Sequence, residues 1–170
     1  MLFNVGNSTA CDWKYVTCDP YTRNVTALII NNQTLGALEA TIPSELGLLK
    51  SLTTLDLEGN RLYGSIPNEL FSGLPNLLVL VLTRNNLEGT LPPLTDSLRS
   101  LRVFDVATNR LAGTIQSAIG DVLRSLEKLD LSHNGFVGSI PKSIGKCKQL
   151  GYLDLSTNLL DGNDTESHHY

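Results

Sequence analysis

The sequence predicts an α/β-type repeat solenoid: an arc of about six turns, with short parallel strands on the concave side and mostly 3₁₀ or irregular backbone on the convex side. Two observations carry this. The run Leu52-Thr-Thr-Leu55-Asp-Leu57-Glu-Gly-Asn60 reads L-x-x-L-x-L-x-x-N. It recurs as Leu77…Leu80-Val-Leu82…Asn85, Leu101…Phe104-Asp-Val106…Asn109, Leu126…Leu129-Asp-Leu131…Asn134 and Leu150…Leu153-Asp-Leu155…Asn158. The asparagines stand 25, 24, 25 and 24 residues apart, the kind of period at which one supersecondary unit repeats. Leucine also supplies 32 of the 170 residues while aromatic residues make up 6%, as expected of a core that uses one side chain repeatedly.

The bulk properties exclude several classes. With 41% hydrophobic and 18% charged residues, the chain is too apolar for disorder and too charged for a membrane protein. Its longest apolar run, Leu77 to Leu82, is six residues, where a membrane helix needs about 20. A net charge of −4 without a Lys/Arg cluster argues against a nucleic-acid partner.

Within each turn the letters have physical roles. The L-x-L segment predicts a short parallel strand whose leucines point inward and whose x residues face the concave side, because side chains alternate along a strand. The Asn carboxamide turns inward and bonds backbone groups left unpaired by the bend. Removing one strands its partners at roughly 1–3 kcal/mol. We therefore expect Asn60, Asn85, Asn109, Asn134 and Asn158 to form a ladder down the stack, with Asn158 contributing less than Asn109 because the last turn is poorly covered. A further copy lies upstream, Val25…Leu28-Ile-Ile30…Gln33, 27 residues before Asn60.

The second half of each turn agrees. After Asn60 comes Leu62-Tyr-Gly64-Ser-Ile66-Pro67, and its counterparts are Leu87-Glu-Gly89-Thr-Leu91-Pro92, Leu111-Ala-Gly113-Thr-Ile115-Gln116 and Phe136-Val-Gly138-Ser-Ile140-Pro141. The first copy has Ile42-Pro43 after an insertion at 36–40. This L-x-G-x-[IL]-P segment resembles the plant-type class of leucine-rich repeats over about residues 11–162, with Gln116 the one departure from Pro. Glycine allows close or left-handed backbone at the corner, and proline suits an extended convex stretch.

Three regions follow in order: an N-terminal cap over 1–24, repeats over 25–162, and a polar tail over 163–170 with no C-terminal cap. The cap carries Cys11-Asp-Trp13-Lys-Tyr-Val16-Thr-Cys18. This C-x-W-x-x-V-x-C pattern is similar to the N-terminal cap of plant extracellular leucine-rich repeat proteins, although that family usually has Gly where Tyr15 stands. In the family the two cysteines form a disulfide and the Trp covers the open end of the core, so the resemblance implies both here. From the residues alone, a two-cysteine metal site is the alternative, with no further Cys or suitable His nearby. A ring of this size adds about 2.5 kcal/mol in the chain-entropy model, and a lasting disulfide implies an oxidising compartment. No signal peptide is visible and the helix that usually precedes such a cap is missing, which suggests truncation at the start. The tail suggests the same at the other end.

Other motifs have plain readings. Cys147 shares a column with Leu49, Leu74, Leu98 and Leu123 and is expected as a free, buried core thiol. Ser139-Ile-Pro-Lys142 and Ser143-Ile-Gly-Lys146 match S-x-x-K but arise from the repeat and lack companion motifs, so no catalytic residue is assigned. No cofactor or metal is expected. Sequons at Asn7, Asn24, Asn32 and Asn163 are glycan acceptors in a secreted chain. The column Ile29, Asp56, Val81, Asp105, Asp130, Asp154 is expected to be a wet row of common family residues rather than a cation site.

The resemblance implies a non-enzymatic, extracellular or cell-surface recognition domain, like the ectodomains of plant receptor-like kinases and receptor-like proteins. Its partners would be a peptide or protein ligand and a co-receptor, in signalling or defence. Two other classes remain: an inhibitor of a secreted cell-wall hydrolase, as in the polygalacturonase-inhibiting proteins, and a structural wall protein. A solenoid presents an extended concave sheet and no enclosed pocket. Its predicted centre is the apolar group Leu78, Val79, Val81 and Val103, rimmed by Arg84, Arg102, Asp105 and Lys128, with Asp130, Tyr152 and Asp154 continuing the face. The concave charged residues number six acids and three bases, which favours a neutral or basic ligand. Lateral loops around Tyr63, Glu88 and Ala112 are the secondary candidate.

Overall fold

The leucine spacing resolves into two parallel sheets joined by short convex segments. The protein is described by a computed structural model that places residues 10–31 and 37–161. The concave sheet has seven strands in the order β1 (Val16–Cys18), β2 (Val25–Ile29), β3 (Thr54–Asp56), β5 (Val79–Val81), β7 (Val103–Asp105), β9 (Lys128–Asp130) and β11 (Tyr152–Asp154). From β2 onward the pairs are parallel and in repeat register: Leu28, Leu55, Leu80, Phe104, Leu129 and Leu153 face one another across five steps. β1 instead pairs antiparallel to β2, so the cap closes one edge of the sheet.

Alternation fixes which side is inside. Leu55, Leu80, Phe104 and Leu129 are fully buried, as are Leu52, Leu77, Leu101 and Leu126. The column ending in Cys147 is also interior: Leu74, Leu98 and Leu123 are fully buried and Cys147 is nearly so. Phe104 takes a leucine position and meets Phe71 edge-on, with ring centroids 5.7 Å apart, a favoured aromatic geometry. At the last turn the same columns open out, and Leu153 is 45% exposed.

The asparagines bond backward. Asn109 Oδ1 accepts the Leu87 N–H at 3.0 Å, while its Nδ2 donates to the carbonyls of Leu82 and Val106, both at 3.0 Å. Asn60, Asn85, Asn134 and Asn158 repeat this arrangement, each accepting from the preceding turn and donating both to that turn and to its own. The residue just before each of them is left-handed: Gly59, Arg84, Thr108, His133 and Thr157 have φ of 70°, 55°, 55°, 52° and 53°. That conformation is uncommon for residues with a Cβ, and the bonds of the neighbouring Asn hold it in place.

The convex side mixes two helix types. Ser44–Leu48, Asp96–Leu98 and Lys142–Lys146 are 3₁₀ turns, while α1 (Asn68–Gly73) and α2 (Ile119–Val122) are short α-helices. Pro43, Pro67 and Pro141 stand immediately before three of these segments in extended conformation, where a missing N–H costs nothing. Gln116 replaces that proline to a purpose: its Nε2 donates to the Pro92 carbonyl at 2.7 Å and its Oε1 accepts the Leu94 N–H at 2.9 Å. It thus does for the convex side what the asparagines do for the concave.

Two expectations need correction. The segments around Tyr63, Glu88 and Ala112 are not loops: they belong to a second sheet, β4 (Tyr63–Gly64), β6 (Asn86–Thr90), β8 (Arg110–Thr114), β10 (Gly135–Ser139) and β12 (Leu159–Asp161). The corner glycines Gly64, Gly89, Gly113 and Gly138 lie in these strands with φ of 75°, 81°, 79° and 78°, and stacking brings equal turns into backbone pairing there. Trp13 does not close the core end. It is 39% exposed, and Val16 and Val25 are the cap-side residues packed against the core.

Cys11 and Cys18 form a disulfide, S–S 2.04 Å. Cys147 is free, its Sγ donating to the Leu123 carbonyl at 3.2 Å, and burial pushes its thiol pKa up. Alkylation without denaturant should therefore label none of the three cysteines. Denaturation without reductant should expose Cys147 alone, as read by mass spectrometry; label on Cys147 in the folded protein would contradict this packing.

Candidate recognition surface

The concave sheet displays the x residues of L-x-L on adjacent strands. Val79 lies between Thr54 and Val103, and Val81 between Asp56 and Asp105. Leu78, Val79, Val81 and Val103 are half-buried, a low apolar ridge at the middle of the sheet. The three bases around it are all engaged. Arg84 pairs with Glu58, Arg102 reaches Glu127 at 3.4 Å, and Lys128 Nζ lies 2.6 Å from Asp105 Oδ2.

Lys128 also ties three turns together. Its Nζ sits 5.1 Å from the centre of the Tyr152 ring, a cation–π contact of about 0.5–2 kcal/mol. Tyr152 in turn donates its hydroxyl to Asp130 Oδ2 at 3.3 Å. Burial opposes the charge on Lys128, but the hydrogen bond to Asp105 and the neighbouring carboxylates lift its pKa above the ordinary lysine value. The charge of Asp130 pushes the Tyr152 hydroxyl up as well.

The aspartate row is not uniformly wet. Asp105 and Asp130 are only 6% and 7% exposed, because neighbouring turns cover them. Thr83 donates to Asp105, and the Ser132 hydroxyl donates to Asp130 at 2.7 Å. The row has a turn-forming role too. Asp56, Asp105, Asp130 and Asp154 each accept the N–H two residues on, at 3.0, 3.2, 3.1 and 2.9 Å, the local bond by which Asx residues shape a turn. Hydrogen bonds from Ser156 hold the Asp154 carboxyl below the usual range. Among the described residues no three Asp, Glu, His or Cys side chains are grouped as metal ligands.

The other predicted residues scatter. Ser143 is buried and accepts the Gly120 N–H at 3.1 Å, so its S-x-x-K match is a packing residue. Asn24 is exposed immediately before β2, whereas Asn7, Asn32 and Asn163 lie outside the described residues. Thr83 and Ser132 escaped the sequence reading because their partners are carboxylates whose burial depends on other turns.

A family model for the leucine-rich repeat matches residues 50–111 and again 99–160, more than half of the chain. The chain belongs to the leucine-rich repeat family. Among solved structures, this leucine-rich repeat chain is 30% identical to the BIR2 ectodomain from Arabidopsis thaliana, with a TM-score of 0.79, covering 97% of this chain and 86% of that one. A chain of the BIR3–SERK2 complex from the same plant gives 30% identity and a TM-score of 0.75, covering 95% and 83%. The Arabidopsis receptor kinase HAESA, solved with the peptide hormone IDA and the co-receptor SERK1, gives 32% and 0.69, covering 78% of this chain but 22% of HAESA. A plant ice-binding protein gives 30% and 0.77, covering 88% and 47%. The chain thus spans most of the shorter receptor ectodomain and under half of the longer proteins. Among its described residues no helix is long and apolar enough to cross a membrane.

Proposed function

We propose that this leucine-rich repeat domain is an extracellular, non-enzymatic recognition module. It binds a peptide or protein ligand on the concave sheet, in a receptor-like signalling or defence role. The observation that carries this reading is the apolar ridge of Val79, Val81 and Val103 with its surround of engaged charges, the layout of an interface centre and polar rim. BIR2, the BIR3–SERK2 pair and HAESA with its peptide and co-receptor support it as relatives of receptor type.

The test is a pull-down from extracellular fluid with the domain as bait, with captured partners identified by mass spectrometry. Val79→Glu combined with Val103→Glu should keep the domain folded with only a modest fall in melting temperature, since both side chains point away from the core but the two glutamates stand side by side, and should lower affinity for the captured peptide or receptor at least tenfold. Full retention of binding by this variant would remove the concave centre from the function and turn attention to the second sheet around Tyr63, Glu88 and Ala112. Capture of a wall hydrolase or a polysaccharide would instead support the inhibitor or the structural reading.

A further inference from the structure

The pairing of charges leaves the concave sheet with an uneven pattern. Asp56, Val81, Asp105, Asp130 and Asp154 occupy one register position on five adjacent strands. The inner two carboxylates are buried and in use, Asp105 under Lys128 and Asp130 under Tyr152. The outer two, Asp56 and Asp154, are half-exposed and form no ion pair with a lysine or arginine of the described chain. Arg84 and Arg102, the other bases on this face, are committed to Glu58 and Glu127. The charge open to a ligand is therefore two carboxylates, one at each end of the row.

Their separation can be read from the register. Four strand spacings at about 4.8 Å place Asp56 and Asp154 about 19 Å apart, which an extended chain rising about 3.3 Å per residue crosses in about six residues. Val81 lies one spacing from Asp56, beside Val79 and Val103, so the apolar ridge falls near the Asp56 end. Such a segment crosses the strands and is held by its side chains.

We propose that the concave sheet takes an extended cationic segment whose two Lys or Arg side chains, about six residues apart, pair with Asp56 and Asp154, with an apolar side chain next to the first cation seated on Val79, Val81 and Val103. This rests on the concave-face reading above and adds the chemistry and spacing of the ligand. Opposite charge steers the encounter and fixes the register of the bound segment. The bonds from Ser156 hold the Asp154 carboxyl below its ordinary range, and Asp56 accepts the Glu58 N–H.

The probes are fluorophore-labelled decapeptides with Gly/Ser spacers. Each has one leucine two residues after a first lysine, and a second lysine placed three to nine residues after the first. Matched peptides carry glutamate for lysine. Anisotropy titrations at about 0.15 M salt, where screening acts over about 8 Å, should show tightest binding at separations of five to seven and none for the glutamate set. Asp56→Asn and Asp154→Asn each keep an oxygen for the turn hydrogen bond. Each should weaken the best peptide about tenfold and flatten the spacing preference. Equal binding of the glutamate set, an absent spacing optimum, or no binding of any lysine peptide overturns the proposal. Val79→Asn with Val103→Asn separates the two levels. If this variant loses binding while the aspartate variants do not, the concave site stands and its charge rule fails. If neither set changes binding, the concave reading fails with it.

Discussion

Gly120→Ala should destabilise the domain by about 3 kcal/mol or more, a fall in melting temperature of roughly 6–12 °C for a domain of this size. Gly120 sits in α2, where a Cβ would lie 1.7 Å from the Ser143 carbonyl oxygen and 2.3 Å from its carbon. Both are backbone atoms of the next turn, so no rotamer change relieves the clash and the two convex segments must move apart. Separation also breaks the Gly120 N–H bond to Ser143 Oγ. Gly145→Ala is the matched control, because nothing lies within 4 Å of a Cβ there; it should change stability by less than about 0.5 kcal/mol. Similar thermal melts for the two variants would show that the convex backbones are not packed this closely.

Asn109→Ala should cost about 1–3 kcal/mol. Its loss leaves the Leu87 N–H without a partner and removes one of two side-chain donors from each of the Leu82 and Val106 carbonyls, which keep Asn85 and Asn134; an unsatisfied buried group costs about 1–3 kcal/mol, moderated where water enters. Asn158 makes the corresponding bonds to Phe136, Leu131 and Leu155. What differs is its surroundings, since Leu153 of the same turn is 45% exposed and water reaches the released groups. Asn158→Ala should cost clearly less, as midpoints of urea unfolding would show. Equal losses would mean that the last turn is as well covered as the middle of the stack.

These two variants also mark what could be read from the letters. The strands and the asparagines were legible because their positions recur at fixed spacing, and each residue type has one job wherever it recurs. The second sheet was not legible. Its strands, such as Arg110–Thr114 with glycine inside, lack an alternating apolar pattern, and they form because stacking aligns equal backbones. The close approach at Gly120 likewise depends on the path of the neighbouring turn. At the candidate site, the apolar ridge followed from the alternation around Leu80 and Phe104. The burial of Asp105 and Asp130 did not, because it comes from Lys128 and Tyr152, one or two turns further along the chain. Trp13 shows the limit of analogy: its motif resembles a core cover, yet Val16 and Val25 do the packing.

The backward reach of every ladder asparagine gives the molecule a direction in time. Each turn leaves an amide N–H for the asparagine of the following turn, as Leu87 waits for Asn109. A ribosome adding about 5–20 residues per second needs about 1–4 s to deliver the 22 residues from Leu87 to Asn109. During that interval the newest turn is always the unfinished one, while those behind it are already sealed. Synthesis of such a chain resembles closing a zip fastener, with the slider always one turn behind the exit tunnel.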